Sequence, residues 1–118
     1  MSFISVEELA LWRSGGLAFD LLDVRRAQAR AADGSAIEGA RWLDPALWLD
    51  WKDSIATAER RCVLVCAHGH EISQGLSAAL RAMGVDARSL AGGMTAWKAA
   101  AQPVVAAGPG AGAPAPSG

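Results

Sequence analysis

Cys66 is the residue whose type and position could do chemistry. It closes the apolar run Cys62-Val63-Leu64-Val65-Cys66 and is followed by Ala67-His68-Gly69-His70-Glu71-Ile72, after which Ser73 opens a helix. A strand, a tight loop containing Gly and a helix N-terminus together make an anion cradle. Successive backbone N–H groups can turn inward there, and the helix dipole adds positive potential. A cysteine at the rim of such a cradle is favoured as the thiolate and acts as a nucleophile near neutral pH. Elsewhere a strand-ending Cys merely packs. The Gly three residues on and the helix behind it favour chemistry for Cys66. Cys62, inside the apolar run, reads as a packed residue. On an extended strand the two Cα atoms stand about 13 Å apart, and a disulfide needs less than about 7 Å. Two separate thiols are expected, as in a reducing cytoplasm.

The candidate anion-binding residues are Ala67, His68, Gly69, His70, Glu71, Ile72 and Ser73, with Cys66 as the catalytic residue. His68 and His70 alternate around Gly69 and are expected on different sides of the loop. His68 reads equally as a hydrogen-bond donor tuning Cys66 and as a solvated loop residue. Glu71 reads as a favourable charge at a helix N-terminus ahead of a general base. Asp23 and Arg25 are expected to form an ion pair that shapes the loop edge, and Arg25 is also a candidate for touching substrate. With so few ligand-type residues, no metal site is expected.

The elements that must position these residues are legible as an alternation. Ser5 and Glu8 form a capping box that opens a helix over residues 6–13, stopped by Gly15 and Gly16. Residues 18–24 read as a buried strand, 25–32 as a short helix and 40–43 as a strand. Pro45 suits the first turn of a helix through Asp53. Residues 62–66 are the clearest buried strand. Residues 74–83 form a helix with Leu76, Ala79, Leu80 and Met83 on one face. A strand over 87–90 and a helix over 93–101 follow, ended before Pro103. Strands alternating with helices predict an α/β fold of three layers, a mostly parallel central sheet flanked by helices on both faces. The ends of the parallel strands, where ligands bind, are Asp23-Val24-Arg25-Arg26, Leu43-Asp44, the loop after Val65, and Ala91-Gly92-Gly93. The five Trp residues are expected mainly in the core.

The chain has 118 residues, 52% of them hydrophobic and 19% charged, and a net charge of −1. That length and balance predict one globular domain over residues 1–106, followed by a Gly/Ala/Pro-rich disordered tail over 107–118. The near-neutral charge argues against a nucleic-acid or anionic membrane partner. No apolar run is long enough for a transmembrane helix, and no signal peptide is visible.

Four segments, in order, resemble the rhodanese family of sulfurtransferases. They are Leu21-Leu22-Asp23-Val24-Arg25, then Gly34, Ile37, Gly39 and Ala40. Val63-Leu64-Val65-Cys66-Ala67-His68-Gly69 follows, and then Leu90-Ala91-Gly92-Gly93 with Trp97 and Pro103. The resemblance covers about residues 4–104. It implies a rhodanese-like fold and a persulfide mechanism without metal or organic cofactor. Cys66 would take sulfur from a donor such as thiosulfate and pass it to a thiol, cyanide or a protein acceptor. The loop N–H groups, with His68, His70 or Arg25, would hold the donor.

The chain departs from the family pattern in three ways. Its loop carries no permanently cationic side chain. It spans seven residues, Cys66 to Ile72, where the family's sulfurtransferases use six. Ala36 and Glu38 replace the His and Pro of the Gly-His-Ile-Pro-Gly-Ala segment. A seven-residue loop is typical of the related phosphatases and arsenate reductases, which resemble Cys-x5-Arg. Ile72 holds that Arg position, so the bidentate partner of a phosphoryl group is missing. Sulfur transfer therefore ranks first. A non-catalytic binding module is the alternative, and oxyanion chemistry stands behind it.

Overall fold

The structure, a computed structural model, describes residues 2–58 and 60–108. The elements begin with β1 (Phe3–Ile4), α1 (Val6–Ser14), β2 (Asp20–Asp23), α2 (Ala27–Asp33), β3 (Ser35–Ala36) and β4 (Arg41–Trp42). A 3-10 turn (Pro45–Leu47) leads into α3 (Trp48–Thr57), followed by β5 (Cys62–Val65) and α4 (Glu71–Ala82). The described chain closes with β6 (Ala87–Leu90), α5 (Gly93–Ala99) and β7 (Val105–Ala106). The expected capping box is present: Ser5 Oγ accepts the Glu8 N–H and Glu8 accepts the Ser5 N–H.

Five strands form the central sheet in the order β1-β6-β5-β2-β4, and every neighbouring pair is parallel. β5 lies in the middle, and alternation along it feeds two cores. Cys62, Leu64 and Cys66 join Trp51, Ile55 and Leu80 from α3 and α4 on one face. Val63 and Val65 join Val6, Leu9, Met94 and Trp97 from α1 and α5 on the other. Burial on both faces explains why β5 reads as one unbroken apolar run. The three-layer α/β fold expected from the sequence is the fold observed.

The tryptophans fill this core and fasten loops to it. Trp51 and Trp97 are fully buried. Trp51 Nε1 donates to the Asp44 carbonyl at 2.8 Å, Trp97 Nε1 to Pro103 at 2.9 Å and Trp42 Nε1 to Arg25 at 2.8 Å.

Several details differ from the sequence expectation. β1, β3 and β7 have two residues each. That is too short for any periodicity to show, and each exists only through a strand distant in sequence. The helix at Pro45 is a 3-10 turn, and α-helix begins at Trp48. α4 starts at Glu71, three residues before the expected 74, and its buried residues are Ser73, Ser77 and Leu80. Met83, expected on the apolar face, is exposed. The two serines can face the sheet because their hydroxyls are bonded: Ser77 Oγ donates to the Ala87 carbonyl at 3.0 Å. At the other end, the Ala107 N–H donates to Gly34 at 2.9 Å and Arg30 Nη2 donates to the Gly108 carbonyl at 2.8 Å. These two residues, expected to begin the tail, are tied to α2. The rest of that tail, residues 109–118, lies outside the described residues.

A buried ion network holds the end of β2 to α2, β3 and α5. The Arg25 guanidinium is 1% exposed. It donates to Asp23 from Nε and Nη2, to Asp33 from Nη1 at 2.9 Å and to the Ser35 carbonyl at 2.8 Å. Asp33 also accepts from Lys98 at 2.8 Å and from Ser35 Oγ at 2.7 Å. Burial opposes the Arg25 charge, but the hydrogen bonds and charges of Asp23 and Asp33 outweigh it and raise its pKa. Burial likewise pushes the Asp33 carboxyl up. The Lys98 and Ser35 hydrogen bonds, with the charges of Lys98 and Arg25, hold it below its usual 3.8.

A folded value below the unfolded one means stabilisation that is present above the ordinary carboxylate range and lost as pH falls through it. Asp33→Asn is therefore expected to cost about 1–3 kcal/mol at neutral pH. The variant should also lose less stability than the parent on acidification below pH 3.8, measured by urea unfolding. An acid limb identical in both proteins would remove Asp33 from this role.

Candidate active site

β5 ends at Val65, which places Cys66 at the C-terminal edge of the central strand. The loop after it is held by its carbonyls. The N–H groups of Met94 and Thr95, in the first turn of α5, donate to the carbonyls of Cys66 at 2.9 Å and Ala67 at 3.0 Å. Gln74 Nε2 donates to the Gly69 carbonyl at 2.7 Å. With those carbonyls committed elsewhere, the Gly69 N–H turns to the Cys66 Sγ at 3.1 Å. Ser73 Oγ lies 3.1 Å from the same sulfur. The first-turn N–H groups of α4 at Glu71, Ile72 and Ser73 have no acceptor within the helix. Their dipoles add positive potential beside the thiol. Two helix N-termini thus flank the loop: that of α5 binds its carbonyls, and that of α4 begins beside the thiol.

Two glycines let the backbones meet. Gly69 has φ +72°, and a Cβ on it would stand 2.6 Å from Gly92 N and 2.8 Å from the Leu90 carbonyl. Gly93 has φ +57°, and its Cβ would overlap the Cys66 carbonyl oxygen. Neither position has room for a side chain.

Cys66 is 5% exposed and opens at the base of a cleft of about 380 Å³. The cleft is lined by residues 66–68 and 70–72 together with Arg26. His68 and His70 both border this cleft, with rings 6.3 Å apart, rather than lying on opposite sides of the loop. His68 Nδ1 is 2.9 Å from Thr95 Oγ1, which in turn reaches the Ala67 carbonyl at 3.0 Å. Making both bonds at once requires Thr95 to donate to the carbonyl and His68 Nδ1–H to donate to Thr95, leaving Nε2 as the free ring nitrogen. Glu71 is exposed in the first turn of α4. Ile72 packs against the core and forms an apolar part of the rim.

Arg25 stands apart from this mouth. It borders a second cleft of about 460 Å³ beyond Ala67 and His68, and its guanidinium is engaged by Asp23, Asp33 and Ser35. The cation at the Cys66 mouth is its neighbour Arg26, which is exposed and has no ion-pair partner among the described residues. Sequence reasoning named the strand end that contains Arg26 but chose Arg25. The signal available was alternation, since adjacent residues after a strand point to different sides. Thr95, Gln74 and Ser89 were also missed. Ser89 Oγ lies 2.7 Å from Ser73 Oγ, and nothing local in the sequence marks that contact.

Cys62 shares the face and differs in environment. Burial, and then the charges of Asp20 and Asp86, push its thiol up to about 12. Both cysteines are free. Among the described residues no group of three or more His, Cys, Asp or Glu is arranged to hold a metal ion. No helix among them is long and apolar enough to cross a membrane.

A family model described as a rhodanese-like domain matches residues 5–100. Three solved structures show the same fold. A rhodanese-related protein from Thermoplasma volcanium is 22% identical with a TM-score of 0.73, the match covering 89% of this chain and 98% of that one. The rhodanese-like domain of an Anabaena protein is 24% identical with a TM-score of 0.75, over 91% and 80% of the two chains. A Rhodopseudomonas palustris protein of unknown function, described as a possible tyrosine phosphatase, is 23% identical with a TM-score of 0.77, over 89% and 85%. No curated protein sequence matches this one.

The two thiols should separate under limiting iodoacetamide at neutral pH. One label per native chain, on Cys66, is expected, with Cys62 labelled only after unfolding; equal labelling of both in the native state would contradict the geometry. Gly93→Ala should destabilise the chain by more than the ~1–2 kcal/mol of a left-handed backbone alone, because the added carbon meets fixed backbone. Unchanged thermal stability together with unchanged Cys66 labelling would show that the two backbones do not need to touch.

Proposed function

Since the chain belongs to the rhodanese-like domain family, we propose that it is a sulfurtransferase that carries sulfane sulfur on Cys66. The observation that carries this reading is the Cys66 sulfur itself. It faces a hydrogen-bond donor, the Gly69 N–H, and a hydroxyl, Ser73 Oγ, each at 3.1 Å, and it opens into a cleft.

In the first half-reaction the Cys66 thiolate attacks the outer sulfur of a donor such as thiosulfate. The new Sγ–S bond forms, the donor's S–S bond breaks, and sulfite leaves with its electron pair. The enzyme is left as Cys66–S–S⁻. The cradle N–H groups receive the charge on the bound sulfur. In the second half-reaction cyanide or an acceptor thiolate attacks the outer sulfur, and Cys66 leaves as the thiolate. Charge and atoms balance in both halves with no metal or organic cofactor. Arg26 attracts the dianionic donor to the mouth, a task that the cation-poor loop does not meet by itself. A protein thiol is a further acceptor of the same chemistry. The unpaired thiols fit the cytoplasm as the site of action.

A second reading, oxyanion chemistry, draws on the seven-residue loop. It is weaker because Ile72 puts an apolar side chain at the rim in the place of a bidentate cation.

The test is the intact mass of the protein after incubation with thiosulfate, beside Cys66→Ser. A gain of one sulfur atom on the parent alone, reversed by cyanide, is the expected result. Turnover of aryl phosphate or of arsenate, with no sulfur gained from thiosulfate or a persulfide donor, would favour the second reading instead.

A further inference from the structure

Behind Cys66, on the side away from the cleft, lies a chain of hydroxyls that the proposed sulfur transfer does not by itself require. Ser73 Oγ is 3.1 Å from the Cys66 Sγ, and Ser89 Oγ is 2.7 Å from Ser73 Oγ. Ser73 is 0% exposed and Ser89 is 1% exposed, so water does not reach them. Ser73 comes from the first turn of α4 and Ser89 from β6, the strand beside β5. Among the described residues the only side-chain hydrogen-bond partner of Ser89 Oγ is Ser73 Oγ.

That dead end fixes the direction of the chain. A hydroxyl has one proton to give. The Ser89 proton has only Ser73 Oγ to go to, so Ser73 must turn its own proton to Sγ. In this order every donor is satisfied, and the sulfur receives O–H from Ser73 and N–H from Gly69. The reverse order starts with Cys66 as a thiol donating to Ser73 and leaves the Ser89 proton buried without an acceptor, which is costly. The arrangement therefore favours the thiolate over the thiol.

We propose that Ser89 is a positioning residue for Cys66: it locks the Ser73 hydroxyl as a donor to the sulfur, and so stabilises the Cys66 thiolate both as nucleophile and as leaving group. The leaving-group part rests on the persulfide reading. When an acceptor thiolate attacks the outer sulfur of Cys66–S–S⁻, the electron pair of the S–S bond passes to Sγ, where the Ser73 O–H already points. The nucleophile part stands without that reading.

The pH profile of Cys66 alkylation by iodoacetamide tests it, since alkylation reports the thiolate and needs no sulfur donor. Ser73→Ala should move the profile to alkaline pH and slow labelling at neutral pH about tenfold, the size of a lost charge-assisted hydrogen bond. Ser89→Ala should move it the same way by about threefold, and Ser89→Thr, which keeps the hydroxyl, should restore it. Because Ser89 acts only through Ser73, the double variant should match Ser73→Ala alone. Far-UV circular dichroism with thermal melts confirms that each variant folds. If Ser89→Ala is poorly folded, the same comparison is made with Ser89→Thr and Ser89→Gly. An unmoved profile in folded Ser89 variants lacking the hydroxyl overturns the proposal, and so does strict additivity of the two substitutions. A shifted profile beside a failure of both thiosulfate and a persulfide donor to load Cys66 would sink the sulfurtransferase reading and leave the relay standing.

Discussion

Everything about the site depends on a close meeting of backbones between the Cys66 loop and the turn that opens α5. At Gly69 and Gly93 the chains approach to a distance that no Cβ survives. This contact lets the first turn of α5 donate to the Cys66 and Ala67 carbonyls. With those carbonyls committed, the Gly69 N–H is the loop donor that reaches the sulfur. A loop held by backbone bonds carries no side-chain entropy, so its N–H groups are fixed in advance. It also tolerates wide variation in the loop's side chains. That explains how a loop of Ala, His, Gly, His, Glu and Ile can stand where related loops carry cations.

The two adjacent arginines after β2 divide the work of positive charge. Arg25 is drawn inward by Asp23 and Asp33, and Trp42 accepts the job of fixing its backbone through a bond to the Arg25 carbonyl. A buried guanidinium of this kind stabilises only while its partners remain, since removing one leaves an uncompensated charge. Its role is to fix the geometry of the strand end. With Arg25 held in place, Arg26 emerges at the cleft beside Cys66. The mouth gains a cation from a neighbouring strand end instead of from the loop. The loop itself remains free to be neutral.

The two cysteines show how far environment alone separates one chemical group into two roles. They lie on the same strand run and the same core face. Cys62 sits where the sheet is covered on both sides and acidic groups lie nearby, so charge on its sulfur is strongly disfavoured. Cys66, four residues on, has left the ladder and meets the Gly69 N–H, the Ser73 hydroxyl and a cleft. One is buried packing and the other borders a cleft, with no change of residue type.

The sequence by itself determined the alternation of strands and helices, the position of Cys66 at the end of a buried strand, and the glycine-containing loop between strand and helix. These are local properties, set by periodicity over a few residues, by capping at Ser5 and by the turn chemistry of glycine. It also carried the family resemblance, because the four segments keep their order along the chain. Only the tertiary structure decided which arginine reaches the mouth, that both histidines border it, that α4 buries two serines toward the sheet, and that Ser89 ends a hydroxyl chain behind the sulfur. It alone also formed β1, β3 and β7. Each of these depends on a partner distant in sequence: β6 lies beside β5 only through pairing, and Ser89 reaches Ser73 only once α4 has settled on that sheet. Hydrophobic pattern records how much of a residue is buried, but a buried hydroxyl is legible only together with the group that bonds it.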